Sequence, residues 1–346
     1  MTESRPLRVL IVDDSAFARR VLRQALERNA NIEVVGIAGD GLEALEKITL
    51  LEPDVVTLDL VMPELDGIGV LTELQGMPSP PRVVVVCFSD QESELVVRAL
   101  QLGAVDFLKK PTALATDRLY ELSAELVGKV TAAGRAQSPR LLVGPPESRR
   151  SVLRFATRRR LLVIGTSTGG PQALTRLLAQ LPAEFPVPIA IALHIPGEYT
   201  EALAQRLDAG CLLQVVEARD ELELRPGLVV LAKGGWNLEI ERRGEGSVVR
   251  VTRPIDESLH VPSVDVLFRT AAQSWGSAAL GAVLTGMGDD GLEGARALVA
   301  RGGQVLTEAP ASCVIYGMPR RVMEEGLSAE QAPLDDMVAA IVRRLQ

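Results

Sequence analysis

A serine flanked by small residues follows a short apolar stretch in the second half of the chain. The letters G-T-S-T-G-G-P at residues 165–171 come directly after L-L-V-I and contain the form G-x-S-x-G around Ser167. Flanking glycines allow a tight strand-to-helix turn that exposes such a serine as a nucleophile. Small-residue loops after strands also bind phosphate, although this one lacks the lysine of a P-loop and the G-x-G-x-x-G spacing. Spacing alone therefore leaves a nucleophile and a phosphate loop both open.

Histidine favours the nucleophile. The chain has only two histidines, and His194 follows the apolar stretch P-I-A-I-A-L. At the end of a parallel strand, His194 would lie at the same sheet edge as Ser167 and could serve as its general base. Such a base needs a carboxylate that holds its tautomer, and the stretch A-L-G-A-V-L leads to Asp289 and Asp290. The order Ser, His, Asp differs from that of the α/β-hydrolases, so that fold is not implied.

A second cluster with chemical potential is acidic and lies in the first half of the chain. Asp13 and Asp14 follow the apolar stretch L-R-V-L-I-V, and Asp59 follows V-V-T-L. Carboxylates that meet at one sheet edge repel one another unless a hard cation lies among them, and Mg²⁺ prefers such oxygen ligands. The same ion neutralises a phosphoryl group during transfer. Lys110 would add a fixed positive charge at this edge.

Alternating strand and helix patterns must position these residues. Five strand-like stretches separated by helical spacing run to about residue 127, which is typical of a doubly wound, five-stranded parallel sheet. From residue 159 to 346 a second alternation predicts a parallel, Rossmann-like α/β domain, with a hairpin in L-E-I-E-R-R-G-E-G-S-V-V-R-V-T. We therefore expect an α/β protein with domains at residues 1–127 and 159–346, joined by a basic, flexible linker at 128–158.

Charge and composition exclude several classes of protein. The net charge is −8, although residues 128–160 carry nine basic side chains and one acidic one, which disfavours nucleic-acid binding by the whole chain. We expect the basic segment to contact acidic surfaces of the two domains; a nucleic-acid arm is the alternative. Three widely spaced cysteines in apolar stretches indicate buried thiols in a reducing cytosol. No signal peptide or membrane-spanning stretch is recognisable, so we expect a cytoplasmic protein without membrane insertion.

The acidic motifs resemble a known family. V-D-D-S-A, L-D-L-V-M-P-E-L-D-G and A-V-D-F-L-K-K-P are similar to the receiver domain of two-component response regulators, over about residues 5–125. The resemblance implies a flavodoxin-like fold, Asp59 as phospho-acceptor, and a chemotaxis histidine kinase as phosphodonor. The Mg²⁺ ligands that it implies are Asp13, Asp14, Asp59 and the backbone carbonyl of Val61. Lys110 would contact the phosphoryl group.

One position departs from the receiver pattern. Receivers place Ser or Thr at the end of the fourth strand, where the hydroxyl binds the phosphoryl group. The corresponding residue here is Cys87, with Ser89 two positions further on. Because a thiol is a poor hydrogen-bond donor, we expect either that Ser89 substitutes or that phosphorylation switches this protein more weakly than usual.

The remaining motifs resemble the chemotaxis protein-glutamate methylesterases, the CheB family. The similar stretches, from about Arg160 onward, are G-T-S-T-G-G-P, L-H-I-P, L-R-P-G, H-V-P-S-V-D-V-L-F, L-T-G-M-G-D-D-G and Y-G-M-P-R. The resemblance implies a phosphorylation-activated serine hydrolase that removes methyl esters from glutamates of bacterial chemoreceptors and also deamidates glutamines. It implies no cofactor for the esterase reaction.

The same resemblance assigns roles to individual residues. It implies a triad of Ser167, His194 and Asp290, with Asp290 selected over Asp289 by the M-G-x-D-G pattern. The implied oxyanion donor is the backbone N–H of Met287, and Thr166 and Thr168 would lie near the nucleophile. His260 is expected to be structural or to face the substrate. L-A-K-G-G-W-N-L departs from the family form A-P-G-G-x-H, so receptor preference is expected to differ.

Two other functions are compatible with parts of this pattern. A receiver joined to a degenerate hydrolase domain would be a phosphorylation-controlled scaffold, and the intact Ser, His and Asp count against it. A transcriptional regulator would need a compact basic helix-turn-helix, which the distal half lacks. We therefore expect an esterase that the unphosphorylated receiver obstructs, with phosphorylation of Asp59 shifting the domain equilibrium.

Overall fold

The computed structural model describes residues 5–87, 93–110, 116–135, 160–254 and 260–346. The chain divides into two compact units, Met1–Ala136 and Gln137–Gln346. Each unit has its own parallel sheet, and each is considered separately below.

The first unit alternates strands and helices. Its strands are β1 (Leu7–Val12), β2 (Ile32–Ala38), β3 (Val55–Leu58), β4 (Arg82–Cys87) and β5 (Asp106–Lys109). Its helices are α1 (Ala16–Glu27), α2 (Gly41–Leu51), α3 (Gly67–Leu74), α4 (Ser93–Gln101) and α5 (Thr116–Arg135). The strands are all parallel, in the order β2-β1-β3-β4-β5. This is the flavodoxin-like order, which reverses between β1 and β3, and it confirms the predicted doubly wound domain.

Short apolar strands and polar caps explain the local structure of this unit. The residues of β3 are all buried, as are the last four of β1 and the last five of β4, because helices cover both faces of the sheet. Ser15, Asp40 and Asp66 each accept a hydrogen bond from the backbone N–H three residues on. These caps start α1, α2 and α3, so the acidic residues after β1 and β3 lie between a strand end and a fixed helix start.

The structure departs from the predicted domain boundary at residue 127. Helix α5 continues to Arg135, so residues 128–135, expected to begin the flexible linker, are helical. Lys129 on this helix forms a 3.0 Å ion pair with Asp106 and donates to the carbonyl of Phe107. The charge of Lys129 suggested that it belongs to the basic linker. In the structure its ammonium group is bound to Asp106 and Phe107 of β5. Residues 136–158, the rest of the expected linker, lie outside the described residues.

The second unit is built on a seven-stranded parallel sheet. Its strands are β6 (Leu161–Thr166), β7 (Ile189–Leu193), β8 (Gln214–Glu217), β10 (Leu228–Leu231), β13 (Ala279–Val283), β14 (Gln304–Glu308) and β15 (Ser328–Ala332). Its helices are α6 (Gly170–Leu178), α7 (Gly197–Gly210), α8 (Val264–Trp275), α9 (Leu292–Ala300), α10 (Met318–Glu324) and α11 (Leu334–Leu345). The strand order is β15-β14-β13-β6-β7-β10-β8. After β6, the chain places β7, β8 and β10 on one side of that strand. It then places β13, β14 and β15 on the other side.

A smaller antiparallel sheet contains the predicted hairpin. It consists of β9 (Glu223–Leu224), β11 (Asn237–Arg243) and β12 (Gly246–Thr252), in the order β11-β12-β9. Apolar residues of this sheet and of α8 share one core cluster with the parallel strands, including Leu238, Val249 and Phe268. The small sheet thus supports the helix whose N-terminus enters the candidate site. Within the described parts of the chain, no helix has the length and apolar character needed to cross a membrane.

Several elements of the second unit were not predicted, among them β14, β15 and α10. β15 has the polar sequence S-A-E-Q-A and lies at the sheet edge, where one side of a strand is open. β14 is Q-V-L-T-E, too short and mixed for a clear period. α10 is only seven residues long and begins at Met318-Pro319. Their absence from the prediction matters because β14 ends in a residue that supports the site.

Candidate functional site

Ser167 lies at the carboxyl end of β6, in the turn that leads into α6. Gly169 has a φ of +81°, and a Cβ there would lie 2.6 Å from the Cβ of Val314, so glycine is required. The Thr166 hydroxyl and the Ser167 N–H both donate to the carbonyl oxygen of Thr285, at 2.7 and 3.0 Å. The turn is therefore tied to the loop after β13.

Thr285 and Glu308 stabilise this turn from the buried side. The Thr285 hydroxyl donates to the Thr168 carbonyl at 3.0 Å, and the Thr285 N–H donates to the Glu308 carboxylate at 2.8 Å. Glu308 ends β14 and is fully buried; burial raises its pKa, against hydrogen bonds from Thr285 and Ser312. The network joins the loops after β6, β13 and β14. Motif reasoning missed Glu308 because it missed β14.

Gly286 brings the loop after β13 against the nucleophile turn. A Cβ at Gly286 would lie 2.9 Å from the Cβ of Ser167 and 2.3 Å from the Sδ of Met318. Met287 follows immediately and is 45% exposed. Gly286, which precedes Met287, therefore lies in contact with Ser167, and the Met287 N–H is the oxyanion donor that the family resemblance implies.

His194 and Asp290 are hydrogen-bonded to each other. His194 Nε2 lies 2.8 Å from Asp290 Oδ2, and the two side chains are 8% and 9% exposed. His194 follows β7, and its N–H donates to the Thr166 carbonyl at 3.2 Å. Asp290 follows β13, on the opposite side of β6. Ser167, His194 and Asp290 thus lie at one edge of three adjacent strands, where the strand order reverses and α/β proteins bind their ligands.

The protonation of this pair follows from its environment. Burial acts to raise the pKa of Asp290, but hydrogen bonds from His194 and from the backbone N–H groups of Asp265 and Val264 lower it below its ordinary value. An ionised carboxylate only accepts hydrogen bonds, so His194 Nε2 carries a proton. His194 Nδ1 is buried and has no hydrogen-bond partner in the part of the chain that the structure describes. Nδ1 is therefore the basic nitrogen of the neutral ring.

Asp290 is fixed by the N-terminus of α8 as well as by His194. Its two oxygens accept from the N–H groups of Val264 at 2.7 Å and Asp265 at 2.9 Å, and from the hydroxyl of Ser263 at 3.1 Å. Ser263 is the N-cap of α8. In turn, the Ser263 N–H donates to the side-chain oxygen of Asn237 at 2.9 Å. The helix dipole and these donors favour a negative charge on Asp290.

The second histidine lies directly over the first. The rings of His260 and His194 are stacked, with centroids 4.4 Å apart and planes inclined by 14°. Burial lowers the pKa of His260, and the neighbouring His194 lowers it further. His260 contacts the candidate base through its ring face, so its expected place near the site holds, while its role stays a prediction.

The loop that departs from the family form contacts the same region. Gly234 packs against the segment after His194, because a Cβ there would lie 2.4 Å from the Ile195 carbonyl oxygen. The Gly235 N–H donates to the Val261 carbonyl at 3.2 Å. The loop is therefore held between the segments that carry the two histidines, and its Asn237 reaches Asp290 through Ser263.

The acidic cluster of the first unit forms where β1 and β3 end. Carboxylate oxygens of Asp13, Asp14 and Asp59 lie within 4.8 Å of one another. Lys110 Nζ lies 2.6 Å from Asp13 Oδ2 and 2.7 Å from Asp59 Oδ2. Burial raises the pKa of Asp13, Lys110 opposes the shift, and the nearby Asp59 adds to it. Asp13 and Asp59 are buried and Asp14 is exposed, and such a like-charged set of hard oxygen ligands fits a divalent cation.

Two further residues predicted for the acidic site have different outcomes. Val61, whose carbonyl is expected to bind the metal, has an N–H that lies 3.4 Å from Asp59 Oδ1, so its backbone borders the carboxylate. Cys87 ends β4 and is fully buried, with Sγ 3.7 Å from the Leu108 carbonyl of β5. Ser89, the expected substitute for the missing hydroxyl, lies outside the described residues.

Comparison with known proteins assigns a family to each of the two units. The family model "CheB methylesterase" matches residues 162–341, and "Response regulator receiver domain" matches residues 9–121. A Myxococcus xanthus protein named protein-glutamate methylesterase/protein-glutamine glutaminase 5 is 58% identical, with 100% of each chain covered. A Symbiobacterium thermophilum protein named protein-glutamate methylesterase/protein-glutamine glutaminase is 41% identical, covering 98% of this chain and 97% of its own.

A solved structure covers the second unit. The CheB methylesterase catalytic domain of Thermotoga maritima is 34% identical and aligns with a TM-score of 0.52, covering 54% of this chain and 98% of its own. The family model over residues 162–341 and the relative at 58% identity together show the family of this chain. The chain therefore belongs to the CheB methylesterase family, as a member with an N-terminal response regulator receiver domain.

Proposed function

We propose that this protein hydrolyses the γ-carboxyl methyl esters of glutamates on chemoreceptors, with Ser167, His194 and Asp290 as its catalytic triad. The observation that carries the proposal is the 2.8 Å hydrogen bond from His194 Nε2 to Asp290, at the sheet edge where the half-buried Ser167 lies. The names of the Myxococcus and Symbiobacterium relatives support the substrate class. The same names support a second activity, deamidation of receptor glutamines.

The reaction follows from the free ring nitrogen. His194 Nδ1 takes the proton of the Ser167 hydroxyl as its oxygen attacks the ester carbonyl carbon. The tetrahedral intermediate then loses methoxide, which leaves as methanol with the proton from His194. Water, deprotonated by the same nitrogen, attacks the acyl-enzyme, releases the glutamate carboxylate and regenerates Ser167. Asp290 holds the tautomer and stabilises the imidazolium that forms.

The oxyanion of the intermediate needs a donor. The Met287 N–H is our candidate, because Gly286 brings this segment within contact of Ser167. One such donor contributes about 3 kcal/mol of transition-state stabilisation in other hydrolases. Thr166, through its hydroxyl, and Thr168, through its carbonyl, are both hydrogen-bonded to Thr285, so that the turn keeps Ser167 in place.

The receiver domain would control this activity through Asp59. Mg²⁺ would be held by Asp13, Asp14, Asp59 and the Val61 carbonyl, and would offset the negative charge of a phosphoryl group. Lys110, which already lies between Asp13 and Asp59, would pair with a phosphoryl oxygen. We propose a chemotaxis histidine kinase as the phosphodonor, and release of the catalytic domain from restraint as the result, which would contribute to sensory adaptation. The domain limits stay as proposed, except that α5 extends the first domain to Arg135.

A fluorophosphonate probe tests the triad directly, because it reacts only with an activated serine. We expect stoichiometric labelling of the wild type and none of Ser167→Ala. Ser274→Ala is the matched control, because the hydroxyl of Ser274, on α8, donates to the Ile240 carbonyl of β11 and takes no part in the proposed chemistry. Absence of labelling in folded wild type would reject the hydrolase and favour the phosphorylation-controlled scaffold.

A further inference from the structure

Beside the proposed triad, the N-termini of α8 and α9 each donate hydrogen bonds to an aspartate at the start of the other helix. Asp290, just before the N-cap of α9, accepts from the first two N–H groups of α8, those of Val264 and Asp265. Asp265, the second residue of α8, accepts in return from the N–H groups of Gly291 and Gly294, at 2.9 and 2.6 Å. Each helix thus supplies the carboxylate that satisfies the free donors of the other.

The backbone geometry leaves this exchange little freedom. A Cβ at Gly294 would lie 2.6 Å from the Cβ of Phe268 and 2.9 Å from the Cα of Asp265, so α8 and α9 are in direct backbone contact. Gly291 has a φ of +99° and packs against Val264. Since close-packed helices transmit small shifts, the position of Asp265 determines the position of the backbone that carries Asp290.

The Asp265 carboxylate lies in a partly buried site that disfavours its charged form, which a residue that only caps a helix would not need. Burial raises its pKa to about 6, and the neighbouring Asp290 adds to the rise, against the hydrogen bonds from Gly294 and Gly291. Its backbone N–H binds Asp290 while its side chain binds the residue that follows Asp290. Both contacts are made with the loop that carries Asp290 and Gly291, whereas a residue that only caps a helix needs just one such contact.

We propose that Asp265 is a positioning residue for the triad, which holds the Asp290 backbone so that the Asp290 carboxylate meets His194 Nε2. The inference rests on the proposed role of Asp290 and goes beyond it, because the hydrogen bonds of the Asp265 carboxylate go to the backbone of Gly291 and Gly294 and not to a member of the triad. It assigns a function to the last polar residue of the H-V-P-S-V-D motif.

The test compares Asp265→Ala, which removes the acceptor, with Asp265→Asn, which keeps an oxygen acceptor without the charge. Asp336→Asn is the matched control, an exposed first-turn acid of α11. The full chain is used, and methanol release is normalised to the number of serines that the fluorophosphonate probe labels. We expect Asp265→Ala to lower kcat at least about tenfold at unchanged KM. Asp265→Asn and Asp336→Asn should stay within about threefold of wild type.

A spectroscopic measurement makes the result independent of activity. Because the chain has only two histidines, long-range ¹H–¹⁵N spectra resolve the ring nitrogens of His194. We expect the hydrogen-bonded Nε2 proton of His194 in wild type and Asp265→Asn, and its loss or upfield shift in Asp265→Ala. If Asp265→Ala does not fold, Asp265→Ser, whose hydroxyl is too short to span both amides, takes its place under the same criteria.

The outcomes separate this inference from the proposed function. A kcat of Asp265→Ala equal to that of wild type, an equal loss in Asp265→Asn, or an unchanged His194 signal would each overturn the positioning role. Failure of Ser167→Ala to abolish methanol release would instead overturn the proposed triad, and the His194 spectra would still decide whether Asp265 positions Asp290.

Discussion

His194 contacts Asp290 through Nε2, and the free ring nitrogen is the buried Nδ1. In chymotrypsin the roles of the two nitrogens are the reverse, with Nδ1 facing the aspartate and Nε2 facing the serine. The ring of His194 is therefore turned so that the nitrogen closer to its own backbone would act as the base. The orientation of the His194 ring consequently depends on the position of the loop after β13 relative to β7, because that loop carries Asp290, the hydrogen-bond partner of Nε2.

Asp290→Asn tests this hydrogen bond. An amide keeps the shape of the side chain but no longer holds the Nε2–H tautomer, so we expect kcat to fall by up to about 10⁴-fold with little change in KM. Asp289→Asn is the matched control, because Asp289 is adjacent and exposed. Steady-state methanol release measures both. Equal losses in the two variants would contradict the assignment of Asp290.

The stacked histidines predict a pH dependence. His260 has a lowered pKa, so it is uncharged at neutral pH and gains a proton only below its ordinary titration range. A positive charge on His260 would oppose the imidazolium that forms on His194 at 4.4 Å. We therefore expect kcat/KM to fall as the pH decreases, with a contribution from His260 to the acid limb.

His260→Phe isolates that contribution, since phenylalanine keeps a stacked ring but cannot be protonated. The acid limb of the variant should be shallower than that of wild type, while the rate near pH 8 stays similar. Superimposable profiles would mean that His260 does not charge in this range. A large loss at all pH values would place His260 among the groups that bind substrate.

Cys87 should limit the response to phosphorylation. Its thiol is buried beside the Leu108 carbonyl, and a thiol is a weak donor to a phosphoryl oxygen. We expect Cys87→Ser to raise the stimulation of esterase activity by a phosphodonor, and Cys87→Ala to lower it or leave it unchanged. Activities with and without acetyl phosphate give the ratio. Equal stimulation in Cys87→Ser and wild type would indicate that another group replaces the hydroxyl.

Removal of the receiver domain tests the restraint. Because α5 runs to Arg135, a cut after residue 136 leaves the first unit complete, whereas a cut at residue 127 would divide a helix. We expect the fragment 137–346 to release methanol faster than the unphosphorylated full chain and to ignore a phosphodonor. Unchanged or lower activity in a folded fragment would contradict control by restraint.

The sequence predicted the five strands of the first sheet and five of the seven strands of the second, because most of these strands are apolar runs. The runs also predicted that Ser167, His194 and the Asp289–Asp290 pair share one edge, and the family resemblance selected Asp290. Polar edge strands such as β15 carry no such signal, and Glu308 was missed together with β14. Lys129 was assigned to the linker because the sequence reveals its charge but does not reveal its ion pair with Asp106.

The fine geometry of the site could not be predicted from spacing. Which nitrogen of His194 meets Asp290 depends on the ring orientation, and the exchange between Asp265 and Asp290 depends on how α8 and α9 pack. The H-V-P-S-V-D motif is recognisable in the sequence, but the role of its aspartate, Asp265, follows only from its contacts with Gly291 and Gly294. Packing between elements distant in sequence supplies this information.

The most direct measurement is methanol release from methylated chemoreceptor membranes by wild type and Ser167→Ala, each with and without a phosphodonor. The proposed mechanism predicts release by wild type, faster release with the phosphodonor, and release by Ser167→Ala at least about 10³-fold slower under both conditions. Release by folded Ser167→Ala at the wild-type rate, or no release by folded wild type with the phosphodonor, would contradict it.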